Sequence, residues 1–281
     1  MAKCISFINM KGGVGKTTVT CQLAWYAAYY LNKRVLLVDL DPQANAGQSI
    51  MGPRKYVEYI DNDGLTVSNI FEEFTPTGKA SSAPTPLDTN KAIYHRVNYD
   101  DGSLLHLVPS RLELSFTLRN PAGKETLLAR FLSKVESNYD LIMIDSAPTD
   151  SMLTDAAYQC SRYIVVPIKA EFLASIGFPL LRRSLESFRI RHDDHRIDIL
   201  GLVFNDYDRN DNNRENRLAR EDLEQQARSF GWHIFTHGIP HSDSYYRSAR
   251  DGLPIDQTKG AHSKVKQEFE EFAQELFGRL G

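Results

Sequence analysis

The chain predicts an α/β fold built on a mostly parallel, doubly wound sheet flanked by helices, and three observations carry that prediction. Apolar runs of strand length recur along the 281 residues, separated by stretches of helical periodicity. The strongest runs are almost continuously apolar rather than alternating, as strands covered on both faces are. The first run ends in a glycine-rich loop closed by Lys-Thr-Thr, the strand, loop and helix order of a phosphate cradle.

Each element follows in turn. Cys4 to Asn9 (CISFIN) is the first strand, Lys11 to Thr18 (KGGVGKTT) the loop, and Thr17 to Leu31 a helix in which Leu23, Ala27, Tyr30 and Leu31 share a face. Arg34 to Leu40 (RVLLVDL) is a buried strand ending in Asp39-Leu40-Asp41-Pro42-Gln43. From about 52 to 102 the pattern weakens. Leu65 to Phe74 suits a short helix and Thr75 to Thr89 is rich in Pro, Ser and Thr, so this stretch reads as a flexible insertion in one domain spanning 1–281.

Order returns with Leu104 to Val108, then helical sequence from Arg111 to Ser137 broken at Asn120-Pro121, then the strand Tyr139 to Asp145 (YDLIMID). Helix Ser151 to Gln159, strand Tyr163 to Pro167, helix Ser175 to Arg191 and strand Ile197 to Asn205 continue the alternation. A charged helix from Asn213 to Phe230 leads to a weaker strand, Trp232 to Phe235. A short helix near Tyr245 to Arg250 and a last helix, Ser263 to Phe277, complete the chain.

Composition narrows the function classes. A net charge of −3 argues against coating nucleic acid through bulk charge, although a local basic patch is compatible with it. The three cysteines, Cys4, Cys21 and Cys160, are scattered in apolar patterns and read as buried reduced thiols of a cytoplasmic protein. No signal peptide precedes the first strand, and no apolar run approaches the ~20 residues that span a bilayer.

The chemistry concentrates at strand ends. Gly12, Gly13 and Gly15, with Val14 between them, let successive N–H groups converge on phosphate oxygens at a helix N-terminus. Lys16 supplies a charge for the β- and γ-phosphates and Thr17 a hydroxyl for Mg²⁺. The usual pattern is broken at one place: Met10 stands where its first glycine belongs, and a second lysine, Lys11, follows. Asp145 closes an apolar strand in the Walker B manner, where a carboxylate orients a water on Mg²⁺. Asp39 and Asp41 lie at another strand's carboxyl end and so near the nucleotide, though Asp39 equally suits a residue capping the chain's exit from the strand. Asn205-Asp206-Tyr207-Asp208 has the outline of a guanine-reading N-x-x-D stretch, which keeps a GTPase open.

KGGVGKTT with its extra lysine, VLLVDLDPQAN, YDLIMIDSAPTD, VPIKAEFLASIGF and IPHSDSYYRSARDGLPI resemble, in order and rough spacing, the motifs of the ParA/MinD family of deviant-Walker P-loop ATPases. The short ParA type is the nearest, and the likeness covers nearly all the chain outside 52–102. The resemblance implies a P-loop ATPase using ATP and Mg²⁺. Lys11 would reach across an ATP-sandwiched homodimer to the second chain's phosphates. Lys16 and Thr17 would hold nucleotide and metal, Thr18 the α-phosphate, Asp41 the attacking water, and Asp145 the Mg²⁺ through water, with Asp39, beside Asp41, a further candidate for the metal. Asn205 and the Pro240 loop would lie near an adenine. The resemblance further implies nonspecific DNA binding at the nucleoid and slow hydrolysis stimulated by a ParB-like or other cargo adaptor, in partitioning plasmid, chromosome or protein cargo.

Basic residues on the segment after Pro240 are candidates for DNA: Arg247 and Arg250 at i, i+3, then Lys259, Lys264 and Lys266. His241 and Ser244 stand where the family often carries arginine, and a solvated helix face accounts for the same residues. Arg182, Arg183, Arg189 and Arg191 form a second basic run. In the last helix Val265, Phe269, Phe272, Ala273, Leu276 and Phe277 make an apolar stripe flanked by Glu268, Glu270, Glu271 and Glu275. An acidic polar face argues against a MinD-like membrane cycle, which needs basic residues to meet anionic lipid. A metabolic enzyme using ATP or GTP on the same scaffold is the rival from another class.

Overall fold

The structure, a computed structural model, describes residues 2–72, 74–75, 85–171, 174–207 and 214–280. Its strands are β1 (Lys3–Phe7), β2 (Arg34–Leu40), β3 (Phe74–Thr75), β4 (Thr85–Pro86), β5 (Tyr94–Asn98), β6 (Leu104–Val108), β7 (Leu141–Ser146), β8 (Tyr163–Ile168), β9 (Asp198–Tyr207) and β10 (Ile239–Pro240). The helices are α1 (Lys16–Tyr30), α2 (Asn45–Met51), α3 (Pro53–Asp61), α4 (Val67–Glu72), α5 (Leu114–Thr117), α6 (Leu127–Val135), α7 (Met152–Cys160), α8 (Ala174–Arg191), α9 (Arg214–Ser229), α10 (Asp243–Asp251) and α11 (Ser263–Arg279). Apart from the β3–β4 ribbon, the strands form one eight-stranded sheet in the order β10-β9-β8-β1-β7-β2-β6-β5. All are parallel except β5, which runs antiparallel to β6.

The period of two along each strand divides the core between the two sheet faces. On β2, Leu36, Val38 and Leu40 join a cluster with Leu128, Phe131, Tyr158, Phe178 and Phe188 from α6, α7 and α8. Val35 and Leu37 join the opposite cluster with Leu23, Ala27, Phe269, Phe272 and Leu276 from α1 and α11. This second cluster uses up the apolar stripe of the last helix, and Phe277 stacks on Tyr26 at 6.1 Å between ring centroids. Among the described residues no helix is long and apolar enough to cross a membrane.

Several elements differ from the sequence reading. Within the stretch read as an insertion, 52–102, α3, α4 and β5 belong to the fold, and Val67, Ile70, Phe71, Ala92 and Ile93 are buried in its core. Their apolar residues are interspersed with polar ones. α3 has no fully buried residue, and is held through Tyr56 and Tyr59, whose hydroxyls donate to the Ser110 and Leu65 carbonyls at 2.9 and 2.6 Å. Most of the Pro/Ser/Thr-rich stretch, 76–84, lies outside the described residues. The helical region after Arg111 divides into α5 and α6, separated by Pro121 and by Gly123 at a φ of 77°, with a 3₁₀ turn over Glu136–Asn138 following α6. Trp232 to Phe235 is no full strand: Ile234 makes one isolated parallel bridge to Leu202.

The far edge of the sheet holds a buried histidine with a pH consequence. His106 stacks on His95 at 4.0 Å, receives the Tyr139 hydroxyl on Nδ1 at 3.0 Å and donates from Nε2 to Asn98 Oδ1 at 2.9 Å. Burial, with the neighbouring His95, pulls its pKa from 6.5 down to about 4. Between those values the unfolded chain binds a proton that the folded chain refuses, so stability rises with pH across the window and is lost as pH falls through it. The loss is expected to reach about 3 kcal/mol at the acid end. Thermal melts of the parent and His106→Gln from pH 7 to 4.5 should show the variant with the shallower slope.

Candidate nucleotide site

The parallel register brings three strand ends together. Phe7 and Asp39 both pair with Asp145, so the loop after β1 and the acids after β2 flank the β7 carboxylate. The chain then turns through Gly15 at a φ of 88° before α1 begins at Lys16. A Cβ at Gly15 would also come within 2.0 Å of the Asn205 amide, so glycine is required there twice over.

Lys16 is 6% exposed, and its Nζ donates to the carbonyls of Asn9 and Lys11 at 3.2 and 3.1 Å. Burial pulls its pKa down, while Asp145 and Asp41 oppose that shift. The Thr17 hydroxyl donates to Asp145 Oδ2 at 2.7 Å. Asp145 is wholly buried and its Oδ1 has no hydrogen-bond partner. Burial pushes its carboxyl up to about 7, against the Thr17 hydroxyl and Lys16 and with Asp41 adding to the rise. An unpartnered buried carboxylate oxygen beside a hydroxyl fits a hydrated divalent cation, whose charge and water would satisfy it.

Asp39 is held differently from Asp145, by backbone amides on both of its oxygens, Oδ1 by Asp41 N–H at 3.0 Å and Oδ2 by Gly47 N–H at 2.9 Å. Burial, with the Asp145 charge close by, pushes its pKa well up. These two hydrogen bonds fix the turn bearing Asp41 and the first turn of α2. Asp41 itself accepts Gln43 N–H at 2.9 Å and lies on the wall of the cavity.

That cavity, about 420 Å³, gathers Gly12, Gly13, Gly15, Lys16, Thr17, Thr18, Asp41, Asn205 and Pro240. Val14 is buried behind the loop, where its carbonyl accepts from Asn205 Nδ2 at 2.9 Å. Asn205 is therefore bonded to the loop as well as lining the cavity. Lys11 turns away from the loop: its Nζ meets Glu171 Oε2 at 2.5 Å, with side-chain exposures of 26% and 52%.

Sequence reasoning missed other residues here. Asn9 is 4% exposed, donates to the Pro167 carbonyl at 2.7 Å and accepts Lys11 N–H at 2.9 Å, tying the loop to the end of β8. Asp206 receives Lys169 at 2.5 Å and His241 Nδ1 at 2.6 Å. Against the burial that would raise it, the Lys169 ammonium and the hydrogen bond from His241 hold the Asp206 carboxyl below its ordinary range. Ser242, Tyr245 and Tyr246 bring α10 and its N-cap onto the same wall. Lys169 lies inside VPIKAEFLASIGF and Asp206 beside Asn205, so position was legible, but not their pairing across β8 and β9. Asp208 lies outside the described residues.

The basic residues do not form a single face. Arg247 bonds inward to Ser244 Oγ and the Gly260 carbonyl at 2.9 and 3.1 Å, while Arg250 points outward and pairs with Asp251 at 3.0 Å. Lys266 donates to the Asp256 carbonyl at 2.6 Å, and Lys259 and Lys264 are exposed. In the second run Arg182 pairs with Glu186, Arg191 pairs with Asp155, and Arg189 caps the Ile197 carbonyl.

A glycine loop between a central parallel strand and its helix, a buried lysine, and a hydroxyl bonded to the carboxylate of the adjoining strand define a P-loop nucleoside-triphosphate site. A family model described as an AAA domain matches residues 2–199. The chain is 31% identical to the chromosome-partitioning ATPase Soj of Thermus thermophilus over 283 residues, covering 98% of this chain and 96% of that protein. With those motifs and these matches, the chain belongs to the ParA/MinD family of P-loop ATPases.

Solved structures agree on the fold. A Cyanothece McdA variant in complex with ATP superimposes with a TM-score of 0.77 at 18% identity, over 99% of this chain and 96% of that one. Cobyrinic acid a,c-diamide synthase of Mycobacterium smegmatis, with an ATP analogue and magnesium, gives 0.73 at 23% identity over 100% and 96%.

Proposed function

We propose that the chain is a ParA-like positioning ATPase that dimerises around ATP, binds DNA without sequence preference as the dimer, and leaves it when a cargo adaptor stimulates hydrolysis. The observation that carries this reading is the division of labour between two lysines. Lys16 is buried and bonded into its own loop, whereas Lys11 leaves that loop for an exposed carboxylate. Exchange of Glu171 for the phosphates of a second chain makes ATP binding and dimerisation depend on each other.

Within one chain, the loop N–H groups and Lys16 neutralise phosphate charge and Asp41 orients the attacking water. Thr17 and Asp145 would hold Mg²⁺ there, which would supply positive charge at the phosphate oxygens. Pro240 and α10 close the base end around an adenine. Arg250, Lys259 and Lys264 supply the outward charge that phosphate backbones require. The family relationship to Soj supports the positioning role, and the acidic last helix, with its stripe buried, supports a cycle without a membrane.

DNA co-sedimentation with ATP, ADP and no nucleotide, at several salt concentrations, tests this reading. ATP-dependent retention that weakens steeply with salt is expected. Retention indifferent to nucleotide, or turnover indifferent to both DNA and any adaptor, would point instead to a metabolic enzyme on this scaffold.

A further inference from the structure

β5 carries a bulge: its register to β6 shifts between His95 and Val97, leaving Arg96 as the extra residue. A bulge re-aims the side chain it displaces. Here it sends the Arg96 guanidinium over the buried Trp25 ring of α1, at 5.2 Å from the centroid. From there Nε donates to the Ile50 carbonyl at 2.8 Å and Nη2 to the Gly252 carbonyl at 2.9 Å. Ile50 lies in the last turn of α2, and Gly252 ends α10 in the left-handed region at a φ of 63°. One side chain therefore caps two helices, each of which leaves carbonyls unpaired at that end.

The two helix ends also touch directly. A Cβ at Gly252 would come within 2.9 Å of Gly52 N, so the backbones meet where no larger residue fits. Both helices also line the nucleotide cavity. α2 starts where Gly47 N–H binds Asp39, just after the turn that carries Asp41. α10 starts at Ser242, below Pro240, and contributes Tyr245, Tyr246 and Ala249 to the wall. Gln22 of α1 adds a further tie, donating to Ser248 Oγ of α10 at 2.6 Å.

We infer that Arg96 is a positioning residue that joins the acid-bearing side of the cavity to α10, so that the phosphate state sensed at Asp41 and α2 is transmitted to α10. A displacement of α2 cannot leave α10 behind without breaking a charge-assisted bond to a helix end and the Gly52–Gly252 contact. The inference rests on the nucleotide reading above but not on DNA binding or dimerisation.

Hydrogen exchange of the α10 amides with ATP and with ADP bound tests it, alongside kcat and KM for ATP, in the parent, Arg96→Gln and Arg96→Lys. In the parent, ATP should slow α10 exchange relative to ADP by about tenfold. In Arg96→Gln that ratio should fall toward one and kcat should drop, with KM held within about threefold. Arg96→Lys keeps the cation over Trp25 while losing the two-pronged fork, and should lie between them. A purely structural arginine would raise exchange equally in both nucleotide states; a preserved ratio in both variants therefore overturns the inference. So does a parent whose α10 responds identically to the two nucleotides. A parent that binds neither nucleotide overturns the functional reading itself, and the inference with it.

Discussion

Lys16→Ala is expected to weaken ATP binding by about a hundredfold or more, measured by calorimetry or with a fluorescent nucleotide. The ammonium sits inside the loop, where two carbonyls fix it and burial lowers its pKa, so little reorganisation is needed when phosphate arrives. A charge-assisted hydrogen bond is worth about 1.5–3 kcal/mol, and contacts to two phosphates account for the size of the loss. The fold should survive, because removing the lysine also removes the cost of burying its charge. Unimpaired ATP affinity in a well-folded variant would remove Lys16 from the site.

Asp41→Ala should separate chemistry from binding. Turnover is expected to fall by about 10²–10⁴ with ATP affinity nearly unchanged, because an acid that orients water contributes in the transition state and little before it. The neighbouring acid provides the contrast. In Asp39→Ala the amides of Asp41 and Gly47 lose their acceptor in a fully buried place, at about 1–3 kcal/mol for each, so the melting temperature should fall first. Steady-state kinetics and thermal melts on both variants distinguish a group that works on the water from one that holds the turn. Equal effects of the two substitutions on both measurements would contradict the assignment.

The residues that were legible in the sequence are those whose role follows from local order. KGGVGKTT lies between a strand and a helix, and its glycines and lysine have one geometry that satisfies the backbone, so the cavity could be read before it was seen. β2, β7 and β8 were legible because burial on both faces leaves continuous apolar runs. β5 was not, since Tyr94 to Asn98 includes His, Arg and Asn and is half-exposed at the sheet edge. The pairings that separate Asp39 from Asp41, send Lys11 to Glu171 and place Lys169 on Asp206 depend on which strand ends become neighbours. Arg247 and Arg250 illustrate the same limit on a helix: at i, i+3 they share a side, yet one is turned inward by Ser244 and Gly260.

The central claim is that Lys11 acts on a second chain. Sedimentation velocity with ATP and with ADP tests it most directly, using the Asp41→Ala chain to preserve ATP and the same chain carrying Lys11→Ala as well. The account predicts that ATP, but not ADP, doubles the mass of the 31.9 kDa Asp41→Ala chain, and that adding Lys11→Ala leaves it a monomer while ATP still binds. Dimerisation of the Lys11→Ala chain as complete as that of its parent would contradict the account.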